Sequence, residues 1–463
     1  MVPNTSVGVY NRSNDYKGEV MFSKKRLTKL IVPLIIEQLL AVTVGMADTI
    51  MVAKAGESAV SGVSLVDTLN ILLINIFSAL ATGGAVVAAQ YLGGKEKEKA
   101  CKSAGQLLLS TGAISLLIML ISLFCNGLIL RLIYGNLEPE LMNNAKIYFY
   151  ITAVSFPFLA IYNSCAALFR AMGNSKVSMY VSLIMNAINV TGNAILIIGL
   201  HMGVAGVAYP TLLSRIVAAV IMLALISKKH HPIHIDNIFR IGVDWSMIRR
   251  ILNIGVPNGL ENSIFQVGKI LVQGLIASFG LASITANAIA GTIANLEVIP
   301  GSAIGLAMIT VVGQCVGAND YKQAKKYTIK LMKVTYIIMI LLNITVLIFK
   351  DPIILSFYDL SPETLSKTMQ LIIFHSIACA LIWPASFTLP NALRAANDVK
   401  FTMITSIISM WVWRIALSFI LGKTLQLGVL GVWIAMSIDW LFRSICFIVR
   451  FIRGKWKQYS FIG

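Results

Sequence analysis

The stretch "QYLGGKEKEKA" at residues 90–100 recurs 224 residues later as "QCVGANDYKQA" at residues 314–324, with Gln, Gly and Ala in register. Three more matches keep nearly the same offset. They are "VPLIIE" (32–37) with "VPNGLE" (256–261), "RAMGNSK" (170–176) with "RAANDVK" (394–400), and, one residue further on, "GVAGVA" (203–208) with "GVLGVW" (428–433). Four matches in the same order predict a duplication, so the chain is expected to consist of two similar halves.

The composition predicts a membrane protein. Of the 463 residues 57% are hydrophobic and 13% are charged, and the mean hydropathy is +0.80. Apolar runs of about 20 residues, long enough to cross a bilayer, start near residues 30, 60, 103, 147, 176, 203, 251, 283, 329, 368, 400 and 428. We therefore predict an all-α integral membrane protein with twelve transmembrane helices in two pseudo-symmetric six-helix bundles. Because six is even, this is a parallel repeat about an axis along the membrane normal.

The formal charge of +18 is explained by topology rather than by nucleic acid. Lys and Arg cluster before the first run, after the second, around residues 228–250, after the eighth and at the end, which is the positive-inside pattern with both termini cytoplasmic. The predicted organisation is a disordered N-terminal segment (1–22), an N-lobe with helices 1–6 (23–227), a cytoplasmic linker (228–250) and a C-lobe with helices 7–12 (251–463). The six scattered Cys favour packing roles, and neither a metal site nor a disulfide is predicted.

The first helix carries two carboxylates inside an apolar run. Glu37 and Asp48 are eleven residues apart, which places them on one helix face about 16 Å apart. A carboxylate in hydrocarbon must be paired or functional, so Asp48 is a candidate for loading and releasing a proton. Pro33 removes a backbone hydrogen bond one turn before Glu37 and is a candidate hinge.

The fifth helix contributes a polar stripe. Ser182, Asn186, Asn189 and Asn193 recur at helical spacing and line either a cavity or a helix contact. The second half offers four further candidates for cavity lining or a second-lobe site, namely Glu261, Lys269, Gln273 and Glu297. An ion pair of Lys269 with either glutamate is the structural alternative. The deep Arg215, Arg414, Asp439 and Arg443 are interpreted as ion-paired or snorkelling side chains.

Motifs for covalent chemistry are missing from the sequence. It contains no GxxxxGK[ST], no HExxH and no Ser/His/Asp order, so neither ATP hydrolysis nor another enzymatic activity is predicted. No cofactor is expected apart from a coupling ion.

The stretch "PLIIEQLLAVTVGMADTIMV" (33–52), "QYLGG" and "RAMGN" with their second-half copies, and "NVTGNAILIIG" (189–199) before "GVAGVAYPT" (203–211) resemble the multidrug and toxic compound extrusion (MATE) family, in its DNA-damage-inducible-like prokaryotic branch. The resemblance covers residues 22–455. It implies a V-shaped pair of six-helix lobes that exchanges organic cations for H⁺ or Na⁺.

The resemblance also implies site residues. Asp48 falls on the main coupling carboxylate of that branch and Pro33 on the proline that lets the first helix bend. Asn189, Asn193 and Thr211 fall on the remainder of the coupling cluster. The family pattern has Asp where this chain has Asn193, and the loss of that charge favours H⁺ over Na⁺.

We therefore expect an antiporter of the bacterial inner membrane that exports amphipathic, cationic organic compounds as a monomer. The alternatives are a flippase for a lipid-linked precursor, which would need a strongly cationic central cleft, and a membrane-embedded enzyme, which would need a catalytic dyad near an interface.

Overall fold

The structure, a computed structural model, describes residues 21–53, 57–135, 137–236, 242–357 and 360–459. Most of these residues are helical, and none of them lies in a strand. The α-helices are α1 (Lys24–Ala53), α2 (Glu57–Gly93), α3 (Lys97–Phe124), α4 (Asn126–Tyr134), α5 (Pro139–Val154), α6 (Phe156–Ala171), α7 (Ser175–Asn193), α8 (Ala205–Ile226), α9 (Trp245–Ala277), α10 (Leu281–Glu297), α11 (Ile299–Gly317), α12 (Tyr321–Phe357), α13 (Pro362–Leu381), α14 (Pro390–Ala395), α15 (Val399–Ser409) and α16 (Gly428–Ile452). Four π-helical segments (Ala194–Gly199, Pro384–Thr388, Met410–Ala416 and Phe419–Thr424) continue or connect them.

The helices are long enough to span a bilayer. Within the described ranges, ten helices meet the length and hydropathy that a membrane crossing needs, and the pair α5 and α6, bent by 46°, adds an eleventh. The 33-residue α9 is long enough but carries Glu261 and Lys269. If α9 also crosses, the total is the predicted twelve.

The duplication is visible in the boundaries of the helices. α2 ends at Gly93 and α11 at Gly317, while α6 ends at Ala171 and α14 at Ala395, each pair 224 residues apart. Left-handed turns recur with the same spacing. The equivalent pairs are Lys95 with Asn319, Gly173 with Asn397, and, one residue further on, His201 with Gln426 and Gly203 with Gly428. Below, α1–α8 are the N half and α9–α16 the C half of this two-repeat architecture.

Two boundaries differ from the sequence-based expectation. Residues 1–20 of the predicted disordered segment lie outside the described residues, but Met21 and Phe22 already pack on α12, where the Phe22 amide donates to Tyr327 Oη at 2.9 Å. The predicted linker ends earlier than residue 250, because α9 begins at Trp245. Asp244 caps this helix by accepting hydrogen bonds from the amides of Ser246 and Met247.

The two halves interlock at one end of the bundle, the face where α1 begins and α16 ends, called the basic end below. Gln90 Nε2 of the N half donates to Ala395 O, and its repeat equivalent Gln314 donates to Ala171 O, both at 2.7 Å. Gly93 and Gly317 make this approach possible. A Cβ at Gly93 would lie 2.0 Å from Gln314 O, and a Cβ at Gly317 would lie 1.8 Å from Gln90 O.

Candidate functional site

The residues predicted to couple a cation come together around Asp48. Asn193 Nδ2 donates to Asp48 Oδ1 at 2.8 Å and to Asn189 Oδ1 at 3.3 Å. Asn189 Nδ2 donates to Thr211 Oγ1 at 3.0 Å, and Thr211 donates to Val207 O. One chain of hydrogen bonds thus connects α1, α7 and α8, and its side chains are called the Asp48 cluster below. Asn193 of this cluster directly precedes the π-helical segment Ala194–Gly199, and π-helical turns are frequent at functional sites.

A second carboxylate near Asp48 was missed by the sequence analysis. Asp67 on α2 accepts hydrogen bonds from Tyr148 Oη at 3.0 Å and Asn70 Nδ2 at 3.2 Å, and it interacts electrostatically with Asp48. Arg215 on α8 interacts electrostatically with both carboxylates and donates a hydrogen bond to Ser155 Oγ at 2.7 Å. Asp67 lies in the apolar run that starts near residue 60, so the rule that singled out Asp48 applies to it equally.

The other N-half candidates have separate surroundings. α1 continues through Pro33 without a break, so the hinge remains a prediction. Asn186 Nδ2 is buried and has no hydrogen-bond partner among the described residues. The polar stripe of α7 therefore divides, with Asn189 and Asn193 in the Asp48 cluster and Asn186 outside it.

Glu37 and Glu261 are equivalent carboxylates that the structure ties to equivalent arginines. Glu37 accepts from Ser178 Oγ at 2.7 Å and forms an ion pair with Arg170 at 3.5 Å. Glu261 pairs with Arg394 at 2.8 Å and lies 3.7 Å from Arg443. Arg170 and Arg394, which the repeat relates, thus make matching contacts. Through them Glu37 connects α1 to α6, and Glu261 connects α9 to α14.

In the C half, Glu297 is buried at the end of α10. It accepts hydrogen bonds from Ser376 Oγ and pairs with His375 Nδ1, both on α13. The ligand atoms of Glu297, His375 and Cys379 all lie within 4.8 Å of one another, a spacing that a metal ion could use. Each carboxylate oxygen of Glu297 already has a hydrogen-bond partner in His375 or Ser376. The alternative in which Lys269 neutralises Glu261 or Glu297 is wrong for this structure, because both glutamates have other partners.

Lys269 and Gln273 instead line a cavity of about 460 Å³ in the C half. Its walls also include Asn287, Arg414, Trp433 and Trp440. Asn287 Nδ2 donates to Gln273 Oε1 at 3.1 Å, and Trp433 Nε1 donates to Asn287 Oδ1 at 2.9 Å. A neighbouring space between α1 and α10 shares Asn295 and Val298 with these walls, so the cavity reaches towards the N half.

The deep arginines are buried rather than snorkelling. Arg414 and Arg443 are 8% and 2% exposed, and Arg414 pairs with Asp439 at 3.5 Å. The expectation of an ion pair is confirmed for Arg414.

Comparison with known proteins gives the same architecture. The sequence model of the MatE family matches residues 33–195 and 257–420, one segment in each half. The chain is 28% identical over 466 residues to the probable multidrug resistance protein NorM of Thermotoga maritima, covering 96% of this chain and 95% of that protein. It is 27% identical over 437 residues to the uncharacterized transporter YisQ of Bacillus subtilis, covering 93% and 95%.

Solved structures show the same fold. A multidrug resistance MATE family transporter of the MOP superfamily in an outward-facing conformation has a TM-score of 0.87 at 19% identity, covering 94% of this chain and 96% of that one. A MATE structure in the bent conformation has a TM-score of 0.84 at 19% identity, covering 94% and 97%. The chain belongs to the MATE family, and the predicted resemblance is confirmed. It is a membrane transporter of small molecules and not an enzyme.

Proposed function

We propose that this transporter is a secondary antiporter that exports amphipathic organic compounds in exchange for H⁺, as a monomer in the bacterial inner membrane with the basic end in the cytoplasm. Multidrug efflux is supported by the relatives named multidrug resistance proteins, such as that of Thermotoga maritima. The orientation is supported by the basic residues at the start of α1 and at the end of α16.

The observation that carries the proposal is the hydrogen-bond chain at Asp48. A carboxylate held by an amide between three apolar helices can exist in a charged and a neutral form, and each form favours different packing of α1, α7 and α8. A charged Asp48 offers the counter-charge for a cationic compound. A proton arriving from outside neutralises the carboxylate, so that proton and compound compete for one group.

Competition becomes exchange when each ligand favours a different state of the transporter. The interlocked basic end fits a state that is closed towards the cytoplasm. Protonation of Asp48 then allows α1 to bend at Pro33 and displaces the compound outward, and release of the proton to the cytoplasm resets the cycle. The coupling ion is proposed to be H⁺ because Asn193 supplies an amide to the Asp48 cluster, while the nearby Asp67 is held outside that cluster by Tyr148 and Asn70.

The test is efflux of a fluorescent organic cation from proteoliposomes under separate pH and Na⁺ gradients. We expect a pH gradient alone to drive efflux by the parent protein and not by a folded Asp48→Asn variant. Asp236→Asn is the matched control, because Asp236 lies in the exposed loop after α8 and pairs with Lys229. A requirement for Na⁺, or normal efflux by Asp48→Asn, would refute the assignment.

A further inference from the structure

The C-half cavity has a surplus of positive charge. Two basic side chains, Lys269 and Arg414, line it, and no carboxylate of the described residues does. Counted with the ion pairs next to its walls, the four basic side chains Lys269, Arg394, Arg414 and Arg443 accompany the three carboxylates Glu261, Glu297 and Asp439. Charges held within a membrane protein need partners, so a ligand that brings negative charge would be stabilised here.

Lys269 is the cation without a counter-ion. Within the described part of the chain, the ion pairs of the buried C-half carboxylates use His375, Arg394, Arg414, Arg443 and Arg450, and none uses Lys269. Its charged neighbour is Arg414, which lines the same cavity and is itself shared with Asp439. Two like charges facing one cavity attract an anion and repel a cation.

Two aromatic rings of the cavity, those of Phe265 and Phe387, already contact the protein's own cations. Arg414 Cζ lies 5.0 Å from the ring centroid of Phe265, and Lys269 Nζ lies 5.7 Å from the same centroid. Arg443 Cζ lies 4.4 Å from the ring centroid of Phe387. These cation–π contacts occupy the Phe265 and Phe387 rings, so these two rings do not form a cage for a cationic ligand.

A buried donor also points to an acceptor on the ligand. Trp440 is 3% exposed and lines the cavity, and its indole Nε1–H has no hydrogen-bond partner among the described residues. An unsatisfied buried donor costs about 1–3 kcal/mol. A ligand oxygen would remove this cost, whereas an ammonium group, which only donates, would not.

We propose that the C-half cavity binds an amphipathic organic anion, an aromatic ring that carries a carboxylate, with the carboxylate at Lys269 and Arg414 and the ring against Trp433. This inference rests on the proposed function, since it assumes that the transporter moves amphipathic compounds. It adds a substrate class that the cationic expectation omits.

Isothermal titration calorimetry on the purified full chain in detergent tests the proposal with three probes that share one ring. They are naphthoate, naphthyl phosphate and (naphthylmethyl)trimethylammonium. We expect naphthoate to bind the parent protein, Lys269→Met to weaken that binding at least about tenfold, and Lys269→Arg to restore it. Lys400→Met, which removes an exposed lysine at the start of α15, is the matched control and is expected to bind like the parent.

Equal naphthoate affinity of Lys269→Met and the parent would overturn the proposal. The proposal would also be overturned if the trimethylammonium compound bound the parent more tightly than naphthoate does and lost affinity in Lys269→Met. If the protein bound naphthyl phosphate but not naphthoate, the ligand would be a phosphorylated compound, and the assignment of a carboxylate ligand would be refuted. The proposed function fails separately: Asp48→Asn is expected to keep naphthoate binding, so normal transport by that variant would contradict proton coupling and leave the cavity result standing.

Discussion

Substitution of Gly317 by alanine should open the basic end. A Cβ at this position would lie 1.8 Å from Gln90 O, and real Cβ contacts essentially never fall under 3.0 Å, so the backbones of α2 and α11 must separate by about 1.2 Å. Gln90 of α2 donates to Ala395 O of α14, and Gln314 of α11 donates to Ala171 O of α6, each across the contact between the halves at 2.7 Å. Such a separation would stretch these contacts to about 3.9 Å, beyond hydrogen-bonding distance.

Loss of two buried hydrogen bonds costs about 2 kcal/mol, at about 1 kcal/mol each, and more if the freed amides remain dry. A change of about 2 kcal/mol shifts the equilibrium between closed and open basic ends by about 30-fold. If the closed state is favoured by less than this amount in the parent protein, the open state becomes the major one in Gly317→Ala.

The assay is the distance distribution between spin labels on Lys176→Cys and Lys400→Cys in a background without the six native cysteines. These exposed, repeat-equivalent positions begin α7 and α15 at the basic end. We expect longer distances in Gly317→Ala than in the parent. Gly274→Ala is the control, since a Cβ there meets nothing within 4 Å. An unchanged distribution in Gly317→Ala, in a folded protein, would refute the idea that this interlock holds the halves together.

Two further predictions concern stability. Arg394→Leu removes the partner of the buried Glu261 at 2.8 Å and should destabilise the protein by about 3 kcal/mol. The loss should be seen as a lower apparent melting temperature in detergent. The double variant Arg394→Leu with Glu261→Gln should recover most of this loss, and failure to recover would contradict a structural ion pair. Hydrogen bonds from Lys102 and Ser246 hold the pKa of Asp244 well below its ordinary 3.8, so its stabilising contribution is present above about pH 4 and is lost as the pH falls further. The difference in melting temperature between the parent and Asp244→Ala should therefore shrink below about pH 4, and a difference that grows there would contradict the sign.

The fold was largely predictable because its information is local and repeated. Runs of apolar residues indicate helices one at a time, and the offset of 224 residues relates the halves without any knowledge of their packing. The offset predicted equivalent positions such as Gly93 and Gly317, and the structure places both at the same crossing of α2 and α11. The start of α9 was placed too late, because its first turns are polar and are stabilised by the cap at Asp244 rather than by an apolar run.

The site was predictable only in part. Spacing on one helix put Asn189 and Asn193 on one face, and the family resemblance related them to Asp48 and Thr211. Contacts between helices depend on how each helix is rotated, which spacing along one chain segment does not reveal. The pairing of Glu297 with His375 and the partners of the deep arginines are therefore structural findings.

The central claim is that Asp48 exchanges a proton for a transported compound, and proton release on binding tests it most directly. A transported organic cation is added to the purified protein in weakly buffered detergent near neutral pH, and the change in pH is recorded. The account predicts that the parent protein and Asp236→Asn release protons as the compound binds, whereas Asp48→Asn binds without releasing them. Equal proton release by Asp48→Asn would contradict the account.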